Sequence, residues 1–103
     1  MTIPRVRSLR GGGRVDAGLR GRELLEVDLS GANLAGVGLA EANLSGADLG
    51  WVDLTKSNLT EANLVGADLR EARLEGANLH LATYNESTIF PRGFHLRRRM
   101  RRV

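Results

Sequence analysis

The chain contains no cysteine, two prolines and only four aromatic residues among 103. Without cysteine, neither a disulfide framework nor a thiolate metal site can form, and the redox compartment is left open. No apolar run approaches the ~20 residues that a membrane span requires, so a soluble protein is expected. The start, MTIPRVRSLRGGGR, is basic but lacks the apolar stretch of a secretory signal, so the expected setting is the cytoplasm, in a bacterium. The length suits one small domain.

Catalytic groups are equally scarce. His80 and His95 are the two histidines, and neither has a regularly placed acid and nucleophile around it. The GGG at 11–13 is not followed by Lys-Ser/Thr, which excludes a phosphate-binding P-loop. An enzyme is therefore not expected, nor a cofactor, a metal ion or a small-molecule substrate.

Charge is plentiful but segregated. Residues 1–22 carry six arginines and one acid, and residues 92–103 carry six arginines and none. Residues 23–91 hold Lys56, Arg70 and Arg73 against eleven acids, a net of −8. An acidic body thus lies between two basic ends.

Within that body, leucine recurs every fifth residue from Leu19 to Leu79. Leu29, Leu34, Leu39, Leu44, Leu49, Leu54, Leu59, Leu64, Leu69, Leu74 and Leu79 are the candidate core, and Tyr84, Ile89 and Phe94 continue the phase. Two residues before each leucine is a small side chain, usually with Asp or Asn between them, and glycine recurs two residues after it. A helix cannot use this spacing, because five steps of 100° wind the leucines around its axis. A flat strand cannot either, because an odd step sends successive leucines to opposite faces. A strand bent every five residues can. The small residue and the leucine point inward, the Asp or Asn points out, and two residues turn the corner, the second suited to glycine.

The triplets VDL (27–29), ANL (32–34), ADL (47–49), SNL (57–59) and their fellows resemble the A(D/N)LXX signature of pentapeptide-repeat proteins. That resemblance implies an all-β fold, a right-handed quadrilateral β-helix of four pentapeptides per coil and three to four coils. It divides the chain into a basic, poorly ordered arm (1–16), the repeat domain (17–91), and a C-terminal cap with an Arg-rich tail (92–103). Phe90, Pro91 and Phe94 are expected to cover the last coil. Gly38 and Arg73 replace Asp or Asn and are expected to weaken the ladder locally.

A twenty-residue coil stacks Asp28, Asp48 and Asp68 in one outward column, with Thr88 next. The column is either a negative stripe for a partner or a repeat-imposed surface ladder. Trp51 occupies a corner position where glycine stands elsewhere, and an exposed Trp can anchor an interface. Arg97, Arg98, Arg99, Arg101 and Arg102 form the densest charge run and could attract the phosphates of nucleic acid or an anionic membrane. The expected function is a non-enzymatic protein-interaction or scaffold module on an acidic rod, its protein partner unspecified. The resemblance also suggests two alternatives, a DNA-mimicking inhibitor of DNA gyrase and a homodimer joined end to end.

Overall fold

The computed structural model describes residues 18–97 and 99–103. The expected N-terminal arm and Arg98 lie outside the described residues. The five-residue beat becomes a repeated bend. In every pentapeptide the N–H of the small residue donates to the carbonyl of the preceding leucine, as Val27 does to Leu24 (3.2 Å) and Ala62 to Leu59 (3.0 Å). This closes a four-residue turn whose third member has positive φ, the sign pattern of a type II turn. Glycine fills that position at 31, 36, 46, 66 and 76, but Glu26, Glu41, Trp51, Lys56, Glu61, Glu71 and Leu81 adopt the same left-handed φ of 55–62°. Glycine is therefore favoured at the corner, not required.

Successive bends bring the chain back over itself every twenty residues. Glu23 pairs in parallel with Asn43, Asp28 with Asp48, Asn33 with Asp53 and Gly38 with Asn58, after which Asn43 pairs with Asn63 on the first side again. Four pentapeptides thus complete a revolution. Each side is so short that a single residue is bridged, flanked by bonds such as Leu24 N–H to Asn43 O (2.8 Å) and Asn43 N–H to Arg22 O (2.9 Å). Inside, the eleven leucines from Leu29 to Leu79 are all buried, none more than 5 % exposed. The inward small residues complete the packing, since a larger side chain would not fit beside leucine in so narrow a coil. Ser57 is the polar exception in that stack, and its hydroxyl donates to Leu54 O at 2.7 Å.

The outward Asp or Asn secures the corner that follows it. Its Oδ1 accepts the N–H two residues on, as in Asn33 to Ala35 (3.2 Å), Asp53 to Thr55 (3.0 Å) and Asn78 to His80 (3.0 Å). Such short side chains mimic a turn of backbone. Gly38 and Arg73 cannot do this, yet the ladder continues through both: Leu39 donates to Asn58 O (2.7 Å) and Arg73 to Val52 O (2.9 Å). The expectation that they weaken the ladder is corrected. Inter-coil bonds use the main chain, so only the corner bond is lost. A Cβ at Gly38 would meet nothing within 4 Å. Gly38→Asn should therefore raise stability by about 1 kcal/mol, from a new acceptor for Ala40 N–H and from a less flexible unfolded chain. Urea denaturation checks this; a gain no larger than that of Gly38→Ala would deny the corner bond.

The C-terminal end departs from the regular stack in two ways. Asn63 still pairs with Thr83, but Asp68 pairs with Ile89, so one extra residue has entered the coil. It is taken up in the turn at 85–88, where Thr88 N–H donates to Asn85 O (3.0 Å) and Thr88 Oγ1 donates to Leu64 O (2.8 Å). Ile89, not Thr88, therefore continues the aspartate column, and it is exposed instead of continuing the leucine phase. Phe90 packs against the core with Phe94 and Met100. The rings of Phe90 and Phe94 stack at 4.8 Å, and Tyr84 meets Phe90 edge-on at 5.6 Å.

The chain end then folds back. Strand β1 (Thr83–Tyr84) pairs in parallel with β2 (Arg101–Arg102), Thr83 opposite Arg101. Leu81 donates to Arg99 O (3.0 Å), Arg101 to Ala82 O (2.8 Å) and Val103 to Tyr84 O (2.8 Å). The basic end thus covers one side of the last coil with its own main chain, blunting an edge that would otherwise template another strand.

Candidate interaction surface

Asp28, Asp48 and Asp68 stand one above another, as the pairing register requires. Each turns its Oδ1 back to its own corner. Asp28 accepts from Ser30 N–H (3.0 Å) and Oγ–H (2.6 Å), Asp48 from Gly50 N–H (3.0 Å) and Asp68 from Arg70 N–H (3.0 Å). The carboxylates are thus corner caps first. The top of the column is neutralised locally, because Arg70 grips Asp68 in a fork, Nη2 to Oδ2 at 2.6 Å and Nε to Oδ1 at 3.0 Å. The guanidinium hydrogen bonds hold the Asp68 carboxyl below the usual carboxylate range, and the carboxylate raises the Arg70 pKa in return.

Beside this column the corner residues Ser30, Gly50 and Arg70 line one wall of an open groove of about 600 Å³. Trp51 borders it, 71 % exposed and held at φ +61°, a conformation costly for a bulky residue. Glu71 lies above Trp51 in the same corner column, and Phe90 and Arg92 complete the lining. The groove therefore joins an aromatic edge to a fixed ion pair and a further cation.

Sequence reasoning picked out Trp51 and the aspartates, and Phe90 as a cap residue, but did not place Arg70, Phe90 or Arg92 at this groove. Counting in twenties places Arg70 over Gly50. Phe90 reaches the groove only because of the extra residue in its coil, which no repeat arithmetic could reveal.

Among the described residues of the C-terminal run, Arg97, Arg99, Arg101 and Arg102 do not line this groove. Arg97 donates Nη1 to Ala77 O (2.6 Å), replacing the main-chain donor that another regular coil would supply, and it lies over the Phe94 ring at 5.3 Å. Arg99, Arg101 and Arg102 are exposed, and Arg98 is outside the described residues.

A sequence model of pentapeptide repeats matches residues 16–50 and 47–83, in eight copies. The chain is a pentapeptide-repeat protein. Its relatives include alr5209, a pentapeptide repeat protein of Nostoc PCC 7120, at 34 % identity over 94 % of this chain and 85 % of that one, with a TM-score of 0.50. HetL, a pentapeptide-repeat protein involved in heterocyst differentiation regulation in Nostoc sp. strain PCC 7120, is 38 % identical over 70 % of this chain, with a TM-score of 0.65. The chain spans about a third of HetL (34 %). No curated protein matches. As a pentapeptide-repeat protein the chain forms a right-handed β-helical solenoid, in a family whose members are generally non-enzymatic structural and interaction modules.

Proposed function

We propose that this pentapeptide-repeat protein is a non-enzymatic interaction module that holds a protein partner against the Trp51 groove. The exposure of Trp51 carries this reading. A single tryptophan stands on a strained corner, where glycine would relax the backbone, beside a recess large enough for a partner side chain. The regular solenoid supplies rigidity, so contact costs little ordering of the module itself. Among the described residues the interior is packed with leucine, alanine and valine.

Capture from the source cell tests the reading with wild type and Trp51→Gly, a substitution that suits the corner φ and keeps the fold. Loss of a partner with the variant supports the proposal, and identical partner sets refute it.

Gyrase inhibition by duplex mimicry draws its support from the −8 charge of residues 23–91. We rank it second. Arg70 neutralises the top of the aspartate column and Arg73 follows Asp53 in the neighbouring one, so neither column is an unbroken negative stripe. An end-to-end homodimer would have to cover the C-terminal edge, where exposed arginines of two copies would repel.

A further inference from the structure

Five charged side chains line the Trp51 groove, and two of them cancel each other. Arg70 holds Asp68 through Nε and Nη2, and Asp68 Oδ1 also accepts the Arg70 N–H, so this pair is satisfied within one corner. Asp48 and Glu71 remain, with Arg92 as the opposing cation. Asp48 Oδ1 caps Gly50 N–H, and neither Asp48 nor Glu71 forms an ion pair among the described residues. Asp48 acts on Arg70 through its field alone, and more weakly than Asp68 does.

Trp51 brings a second, independent attraction for positive charge. Its indole is strongly exposed, and among the described residues no cation lies over its face, although Arg97 does lie over Phe94. The indole face attracts cations more than any other aromatic surface, and the attraction grows as the pair leaves water. Glu71 stands over Trp51 in the same corner column, and Asp48 lies on the straight edge that leads into that corner. A cation entering the groove thus meets the ring and both carboxylates. Phe90 adds an apolar surface for the methylene stem that carries such a charge.

Other side chains fit worse. A carboxylate would enter against Asp48 and Glu71 with Arg92 to hold it. An apolar side chain would strip water from two carboxylates and return no partner to them.

We propose that the groove takes a lysine or arginine side chain from a basic segment of the partner protein, its charge held by the Trp51 face and the carboxylates of Asp48 and Glu71 and its stem lying along Phe90. This rests on the reading that the groove holds a protein partner, and it adds the chemistry of what is held.

NMR of the Trp51 indole N–H in the full chain tests it, with acetyl-Gly-Arg-Gly-amide as the probe. The citrulline counterpart has the same stem and planar head without the charge. A saturable shift is expected with the arginine peptide, and binding at least about fivefold weaker with the citrulline peptide. Asp48→Asn, which keeps the oxygen that caps Gly50 N–H, and Glu71→Gln should each weaken the arginine peptide about two- to threefold. Glu61→Gln removes equal charge from a corner outside the groove and should leave binding unchanged. An indole unmoved by millimolar arginine peptide overturns the proposal, as do equal affinities for the two peptides. A loss with Glu61→Gln as large as with Glu71→Gln overturns it as unspecific attraction to an acidic rod. Capture from the source cell with the Asp48→Asn, Glu71→Gln double variant separates this chemistry from the reading beneath it. A partner lost with the double variant and with Trp51→Gly supports both. A partner lost with Trp51→Gly but kept by the double variant overturns the cationic ligand and leaves the groove as the contact site, whereas a partner kept by both overturns both.

Discussion

Leu54→Ala is expected to cost about 2–5 kcal/mol, toward the upper end, in urea denaturation at neutral pH. Leu54 is fully buried and stacked between Leu34 and Leu74, which the twenty-residue register places directly below and above it. The side-chain atoms removed cannot be replaced by collapse. Leu54 N–H is tied to Arg73 O (2.8 Å), and its carbonyl accepts both Ser57 N–H (3.1 Å) and the Ser57 hydroxyl (2.7 Å), so the wall around the void is pinned on both sides. A cavity that cannot relax carries the full penalty. The same substitution at Leu19, on the outermost coil, should cost less, because that coil has a ladder on one side only in the described residues. A change below about 0.5 kcal/mol at Leu54 would mean that leucine does not fill the interior.

The second large effect is expected at the opposite end. Phe90→Ala should destabilise the fold by about 3 kcal/mol, the lower part of the range for aromatic truncation because Phe90 is only partly buried. Phe90 is the centre of the cap. It stacks on Phe94, receives the edge of Tyr84 and packs on the leucines beneath. In a solenoid each coil is supported mainly by its neighbours, so the loss should be felt locally first. Hydrogen exchange should accelerate at Leu69, whose N–H donates to Ile89 O (2.7 Å), and at Thr83, whose N–H donates to Ala62 O (2.9 Å). Leu44 and Leu49, in the middle of the stack, should keep their protection. Uniform acceleration through the whole chain would show that the domain opens as one unit and that Phe90 is not a local cap.

The parts of this molecule that were legible in sequence are those that occur many times. Leucine at every fifth position has one environment, repeated, and a pattern sampled thirteen times leaves little freedom in register. The small residue before it and the glycine after it follow from the same bend. The Asp or Asn was placed correctly on the outside, but its work on its own corner became visible only with the bond from its Oδ1 to the N–H two residues on. What was not legible occurs once. The extra residue between Tyr84 and Ile89 changes which side chain enters the stack, and it brings Phe90 to the groove beside Trp51. The return of Arg101 and Arg102 to β1 is made by main-chain bonds, which any sequence can form, so the arginine run read only as a charge cluster that could attract phosphates. The candidate surface was half legible for the same reason. Trp51 breaks the beat and stands out, whereas Arg70 and Arg92 acquire meaning only beside it.

Trp51 is the chain's sole tryptophan, so its fluorescence reports on the proposed contact without interference. In the isolated protein its emission should be that of a water-exposed indole, freely quenched by iodide. On addition of the partner recovered by capture, the emission should shift to shorter wavelength and the quenching should fall. A partner that binds the protein while Trp51 stays fully exposed to iodide would contradict the central claim that this groove is where the module makes its contact.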